Sequence, residues 1–152
     1  DRWYGWMSLS YGKSERTDER RDITRDYYAD TPLVFNMVFN YQISERWNGG
    51  FNFTARSGQS YTPIVGVREN PEFEGNFLPE YGEPFSERFD AYHRLDLAMK
   101  RRFELKNDGL IEITASVTNT YSRKNIFYVE PIENKKVYQL PILPSLGFSW
   151  RF

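Results

Sequence analysis

The 152-residue sequence has no cysteine and a single histidine, His93. Without cysteine the chain forms no disulfide, and thiol nucleophiles and thiolate metal ligands are excluded. No segment approaches the ~18 consecutive apolar residues of a membrane-spanning helix, which excludes a helical membrane protein. Neither sign of charge dominates, because 20 lysine and arginine residues face 21 aspartate and glutamate residues. This balance gives no electrostatic basis for nucleic-acid binding.

Aromatic side chains are abundant although the chain as a whole is polar. They make up 18% of the residues, while the mean hydropathy is −0.70. This aromatic content argues against intrinsic disorder, and the length suits a single domain over residues 1–152. The sequence starts with neither a methionine nor an apolar signal segment, so we expect it to be part of a longer or processed chain.

Apolar and polar residues alternate over long stretches, which is the period of a β-strand with one apolar face. In residues 33–43 every odd position is apolar or aromatic, whereas Asn36, Asn40 and Gln42 occupy even positions. The alternation recurs in segments 3–14, 49–60, 94–100, 111–118 and 146–152. Several strands are predicted to reach about 10 residues, the length that a tilted strand needs to cross a bilayer.

The predicted connections alternate between long and short. The long loops are 15–31, 61–91 and 122–143, and the short turns are 44–49 and 106–109. The second turn is predicted to be a three-residue loop of Asn107, Asp108 and Gly109. An odd number of loop residues keeps Phe103 and Ile111 on one face, and Gly109 then adopts the left-handed region. Long loops on one side and short turns on the other are typical of a transmembrane β-barrel wall.

Six strands are too few for a complete barrel, because bacterial single-chain barrels begin at about eight strands. An open sheet would also leave two unpaired edges in lipid. The predicted fold class is therefore all-β: an antiparallel segment of a transmembrane β-barrel that supplies about six C-terminal strands. Both chain ends are expected on the periplasmic side.

The alternation also predicts which side chains face lipid and which face the barrel interior. Apolar residues expected to face lipid are Phe35, Met37, Phe39, Leu95, Leu97, Ile113 and Phe148. Polar residues expected to line the lumen or contact a plug are Asn36, Asn52, Arg56, Arg94, Asp96, Lys100 and Glu112. Aromatic residues near strand ends that suit interfacial girdles are Trp3, Tyr11, Tyr41, Tyr121 and Trp150.

Four segments resemble, in order, motifs of the TonB-dependent outer-membrane receptors. Residues 55–63 resemble the Arg-x-Gly-x-x-Tyr-x-Pro region of that family, with Ser57 between the arginine and the glycine. Residues 91–97 resemble its Tyr-His-Arg-Leu-Asp-Leu strand opening. Residues 117–125 are similar to its Asn-x-Tyr-x-Arg-x-Asn strand end, and residues 143–152 to its last strand.

This resemblance implies the C-terminal part of a barrel of about 22 strands around a plug domain. The plug and the earlier strands lie outside this chain. The implied function is energy-coupled import of a ferric siderophore, haem, cobalamin, oligosaccharide or peptide across the outer membrane of a Gram-negative bacterium. Implied partners are the rest of the barrel and plug, TonB through an N-terminal segment, lipid and lipopolysaccharide, the barrel assembly machinery and a surface lipoprotein; no cofactor is implied.

Two other classes of protein fit part of the pattern. Another outer-membrane barrel, such as a passive porin or an assembly barrel, shares the alternation and the loop lengths. A soluble β-sandwich binding module also alternates apolar and polar faces, although it does not usually need strands this long. An enzyme is not expected. His93 lacks evident catalytic partners, and a polar barrel wall explains Asp96 and Glu112 better than an acid pair does.

Two further groups of residues are functional candidates. The segment 68–91 is acidic and aromatic, and its candidate ligand residues are Phe73, Phe77, Tyr81 and Phe85. The alternative is a folded surface loop that meets lipopolysaccharide and its divalent ions. The last strand carries aromatics at every second position, and the expected assembly signal consists of Phe148, Trp150 and Phe152. The alternative for Phe152 is an anchor in the periplasmic aromatic girdle.

Overall fold

The computed structural model describes residues 2–106 and 109–152. Within these ranges the chain forms strands, turns and bends, and no helix. The strands, in chain order, are β1 (Trp3–Tyr11), β2 (Glu15–Asp18), β3 (Ile23–Asp26), β4 (Leu33–Gln42), β5 (Trp47–Arg56), β6 (Ser60–Tyr61), β7 (Ile64–Glu69), β8 (Phe77–Tyr81), β9 (Glu87–Arg88), β10 (Tyr92–Glu104), β11 (Leu110–Thr118), β12 (Ile126–Glu130), β13 (Lys135–Tyr138) and β14 (Leu143–Arg151). No helix long and apolar enough to span a membrane is therefore found in the described part of the chain.

Six long strands form one antiparallel sheet in the order β1-β4-β5-β10-β11-β14. Successive long strands are neighbours in the sheet, so the sheet is an up-and-down meander. The sheet is open, and β1 and β14 are its edges. The prediction of an all-β, antiparallel fold is confirmed.

The three long loops contain short paired strands. Within them β2 pairs with β3, β7 with β8, β6 with β9 and β12 with β13. The prediction of a continuous loop over 61–91 is therefore wrong for the β7–β8 ribbon and for β9. These strands are only two to six residues long, so they lack the extended apolar alternation that identifies the long strands.

The ends of the long strands differ from the prediction by a few residues. The first strand ends at Tyr11 rather than at residue 14, and β5 spans Trp47–Arg56 rather than 49–60. The chain leaves the sheet after β5 and crosses closely over the segment before β10. A Cβ atom at Gly58 would overlap the carbonyl group of Phe89, so glycine is required at this crossing.

The register of the sheet places the alternating apolar residues on one face. Phe39 lies opposite Phe51, which in turn lies opposite Leu97. Further along the sheet, Ile113 lies opposite Phe148. All seven residues predicted to face lipid share this face, which we call the apolar face. The opposite side is called the polar face.

The turn between β10 and β11 keeps the predicted pairing of faces. Phe103 lies directly opposite Ile111, so the two residues share the apolar face. The predicted three-residue loop of Asn107, Asp108 and Gly109 is wrong, because Glu104 pairs with Leu110 and Leu105 N–H donates to the Gly109 carbonyl oxygen at 2.8 Å, which places Gly109 opposite Leu105. Asn107 and Asp108 lie outside the described residues.

Among the described residues no apolar side chain is buried. The apolar face is open instead, with exposed fractions of 73% at Met7, 78% at Leu146 and 68% at Phe148. Rings on this face contact one another across strands, as Phe39 and Phe51 do at a centroid distance of 5.7 Å. Exposed apolar surfaces of this extent mark places where another layer covers the protein.

Candidate functional site

The polar face carries a line of ion pairs along β10 and β11. Arg94 Nη2 lies 2.9 Å from Asp96 Oδ2. Glu112 pairs with Arg102 at 2.8 Å and with Lys100 at 3.6 Å. Because these groups are exposed to solvent, which screens their charges, the pairs contribute little to stability. Opposite charges thus offset one another on this face, which presents polar groups without a strong net charge.

The other residues predicted to line a lumen also lie on the polar face. The Thr54 hydroxyl donates to Asn36 Oδ1 at 3.1 Å, and the Arg56 guanidinium lies 4.7 Å from the centre of the Tyr92 ring. Asn52 lines a shallow depression of about 250 Å³ near the middle of the face. The structure therefore brings all seven predicted residues to one face, which is hollowed at its centre.

Segment 117–125 turns tightly after β11 around Asn119. Asn119 is 1% exposed and has a φ angle of 53°, which asparagine tolerates better than most residues. Its N–H donates to Asp96 Oδ1 at 2.9 Å. Its side-chain amide accepts from Arg123 N–H and donates to the carbonyl oxygens of Arg123 and Leu140. Asp96 therefore anchors this turn, a role that the sequence did not indicate.

His93 and Asn125 join the start of β10 to the same turn. The Asn125 side chain accepts from His93 N–H at 3.2 Å and donates to the His93 carbonyl oxygen at 3.0 Å. The Tyr121 hydroxyl is hydrogen-bonded to His93 Nδ1 at 2.7 Å. Burial raises the pKa of Tyr121, so this hydroxyl stays protonated. These contacts give His93 a structural role at the start of β10.

Arg88 joins two of the long loops. Its guanidinium donates to the carboxylates of Asp26 at 2.9 Å and Asp30 at 2.6 Å. It also donates to the carbonyl oxygens of Asp30 at 2.9 Å and Gly58 at 2.8 Å. Asp30 is 1% exposed, and Ser14 N–H donates to its other carboxylate oxygen at 2.7 Å. We call these five residues the Arg88 junction.

The Asp30 carboxyl is ionised within this junction. Burial is the largest single influence on it and by itself raises the pKa of Asp30. The hydrogen bonds from Ser14 N–H and from Arg88, together with the positive charge of Arg88, act in the opposite direction. Together they hold the pKa of Asp30 below its ordinary value. The junction is therefore held by charge-assisted hydrogen bonds at neutral pH.

A cleft of about 320 Å³ opens between the three long loops. We call it the aromatic cleft, because seven aromatic residues line it: Tyr28, Tyr61, Tyr81, Phe85, Phe89, Phe127 and Tyr128. The remaining lining residues are Gln59, Ser60, Thr62, Ile64, Val129 and Pro131. The rings of Tyr61 and Phe89 stack face to face, with centroids 4.1 Å apart and an interplanar angle of 5°. This stacked pair forms a flat part of the wall.

Two of the four ligand candidates in segment 68–91 line this cleft. Tyr81 and Phe85 belong to its wall, whereas Phe73 and Phe77 do not and are 60% and 52% exposed. Phe85 has a φ angle of 56°, and its N–H donates to Thr62 Oγ1 at 3.1 Å. Phe89 belongs to the same segment, whereas Tyr28, Phe127 and Tyr128 come from the other two long loops, so no sequence pattern relates these rings to one cleft.

A hydroxyl group in the cleft lining has no partner. Ser60 is 4% exposed, and among the described residues its Oγ atom has no hydrogen-bond partner. A buried hydroxyl left unsatisfied costs about 1–3 kcal/mol. Unsatisfied buried polar groups are uncommon in folded proteins, and a functional role is one explanation for them.

A second cavity, of about 490 Å³, lies where the polar face meets the long loops. Arg94 and Thr118 line it from the sheet, and Phe127 and Tyr138 line it from the β12–β13 ribbon. Phe127 is 65% exposed and borders both this cavity and the aromatic cleft. The two spaces are therefore adjacent, and Phe127 separates them.

The residues predicted as an assembly signal lie at the edge strand β14. Phe148 and Trp150 belong to the apolar face, and the Trp150 ring lies 5.5 Å from the Phe152 ring. One side of β14 has no strand partner in the described sheet. Its backbone groups are free for strand addition, in which hydrogen bonds give affinity and alternate side chains give specificity.

In residues 2–106 and 109–152, no group of three or more His, Asp or Glu side chains is placed to hold a metal ion. Asp96 and Glu112, the two carboxylates that could be read as an acid pair, each form an ion pair with an arginine on the polar face.

Comparison of the chain with models of protein families, with curated proteins and with solved structures gave no match.

Proposed function

We propose that this chain forms part of the wall of an outer-membrane β-barrel, and that the barrel is a TonB-dependent importer. The observation that carries the proposal is the open apolar face of the six-stranded meander. Lipid covers such a face in a barrel wall, where apolar residues point outward and polar residues point inward along every strand. The polar face, with its ion pairs and central hollow, then borders the barrel interior.

The open edges of the sheet support a larger barrel. Unpaired backbone groups at the edges of β1 and β14 would be unsatisfied in hydrocarbon, so further strands must pair with them. TonB-dependent importers have barrels of about 22 strands with a plugged lumen. In such a barrel Asn36, Asn52 and Arg94 would face the plug.

The import function is supported by the four segments that resemble TonB-dependent receptors. Three of them contain the residues that fix the loops to the sheet. Gly58 lies at the crossing with Phe89, Asp96 anchors the turn after β11, and Asn119 occupies the centre of that turn. A segment that builds such a junction depends on particular side chains, which makes the resemblance more specific than a shared strand pattern.

Binding to TonB separates an importer from a passive barrel. The full-length protein, extracted in detergent from the outer-membrane fraction of cells that produce it, is passed over the immobilised periplasmic domain of TonB. We expect to recover the protein in the outer-membrane fraction and to see it retained on the TonB column. A general porin, used as the control, should pass through the column. Recovery in the outer membrane without retention would favour a passive barrel. Recovery in the aqueous fraction would favour a soluble β-sandwich.

A further inference from the structure

We infer that the aromatic cleft binds a neutral saccharide. This inference rests on the proposed function, which places the long loops and their cleft on the cell surface.

The lining of the cleft is uncharged. None of its thirteen described residues is acidic or basic, although segment 68–91 alone carries seven acidic and two basic residues. Some of these charged groups form contacts outside the cleft. Arg88 belongs to the Arg88 junction, and the Glu83 carboxylate lies 3.6 Å from the Arg25 guanidinium. A charged ligand would lose hydration in the cleft without gaining a counter-charge. The lining therefore favours a neutral ligand over an anionic siderophore or haem.

The exposed rings suit a ligand that has flat apolar surfaces. Tyr28, Tyr81 and Phe127 are 54%, 58% and 65% exposed. The carbon-bound hydrogens of a pyranose ring form such a surface, and they pack well on the electron-rich face of an aromatic ring. The stacked pair of Tyr61 and Phe89 supplies a flat wall for the same kind of contact.

The polar groups of the cleft suit a ligand that carries hydroxyl groups. The Gln59 amide and the tyrosine hydroxyls are neutral donors and acceptors among the lining residues. A purely apolar ligand would remove water from these groups without replacing its hydrogen bonds. The combination of aromatic faces with neutral hydrogen-bonding groups therefore favours a sugar over a lipid tail.

The size and the support of the cleft agree with a short stretch of glycan. A volume of about 320 Å³ lies at the lower end of the ~300–1,000 Å³ usual for ligand pockets, which is room for about one or two sugar rings. The Arg88 junction fixes the loops that carry Tyr28 and Tyr61. A wall ordered before binding reduces the entropy lost when the ligand binds.

Binding is measured with the purified full-length protein on an immobilised panel of oligosaccharides. The panel contains neutral hexose, pentose and N-acetylhexosamine oligomers and their uronate-bearing counterparts. We expect binding to at least one neutral oligomer, weakened about tenfold by Tyr81→Ala and by Tyr128→Ala. Phe73→Ala is the matched control, because Phe73 is an exposed aromatic residue outside the cleft, and it should leave the affinity unchanged.

Three results would overturn the inference: no neutral oligomer bound, preference for uronate-bearing oligomers, or equal loss in the Phe73 control. Circular dichroism and the outer-membrane yield of each variant show whether it is folded. If Tyr81→Ala does not fold, Tyr81→Phe and Tyr128→Phe keep the ring and should retain most of the affinity. The TonB retention assay tests the importer separately. Retention without sugar binding would overturn only the inference about the cleft, and sugar binding without retention would overturn only the importer function.

Discussion

Replacement of Arg88 by alanine is expected to release the two loops that meet at the Arg88 junction while leaving the six-stranded sheet intact. The change removes four hydrogen bonds and leaves the buried Asp30 carboxylate with one donor, Ser14 N–H. Breaking a fully buried ion pair costs about 3–5 kcal/mol. Because 32% of the Arg88 side chain is exposed, we expect a smaller effect: the substitution should lower the free energy of opening the loops by about 2–3 kcal/mol.

Limited proteolysis of the folded protein measures this opening. A cost of about 2–3 kcal/mol corresponds to an increase of roughly 30- to 150-fold in the open population. Cleavage within 15–31 and 57–91 should accelerate by that factor when opening is fast relative to cutting. The six long strands should remain resistant.

Two variants serve as controls for Arg88→Ala. Arg88→Lys keeps the charge but loses the planar fork that reaches two carboxylates, so its cleavage rate should be intermediate. Arg68→Ala removes an exposed arginine on β7 and should not change the rate. If Arg88→Ala is cleaved no faster than Arg68→Ala, the junction does not hold the loops and the reasoning fails.

Three other variants test separate parts of the structure. Because the pKa of Asp30 is lowered, the ionised carboxylate stabilises the junction above its ordinary pKa of about 4, and this stabilisation is lost as the pH falls through the lower pKa of the folded state. Proteolysis of 15–31 should therefore become faster below about pH 4, and Asp30→Asn should make the rate less dependent on pH. Leu97→Arg should cost about 2–4 kcal/mol in a folding titration in lipid if it lies near the bilayer midplane, whereas Ala98→Arg on the polar face should cost much less; the reverse order would invalidate the face assignment. Asn119→Ala should cost about 2–3 kcal/mol in thermal unfolding because three side-chain hydrogen bonds of a buried amide are lost, and an unchanged melting temperature would show that the turn does not depend on them.

The long strands could be predicted because apolar and polar residues alternate along their sequences. Phe39, Phe51 and Leu97 each occupy the apolar half of an alternating segment, and the register pairs them across three strands. A slip of one residue would move every side chain of a strand to the other face, so the alternation strongly constrains the pairing. The faces therefore follow from local pattern alone.

The cleft was not predictable in the same way. Its walls combine Tyr28, Tyr61 and Phe127 from three separate loops, and no local period relates these positions. Arg88 stands in the sequence as a positive charge within an acidic segment, while its partner Asp30 lies 58 residues away. Close contacts of this kind depend on the folded sheet that brings the loops together.

The central claim is that the apolar face lies in lipid and the polar face does not. This chain contains no cysteine, so, once any cysteine elsewhere in the full-length protein is replaced, one cysteine at a time can be introduced at positions 95 to 100 of β10 and labelled with a fluorophore. The full-length protein is then placed in bilayers with and without a lipid that carries a quencher on its acyl chain. We predict strong quenching at positions 95, 97 and 99 and weak quenching at 96, 98 and 100. Equal quenching at all six positions, or stronger quenching at the even positions, would contradict the proposed barrel wall.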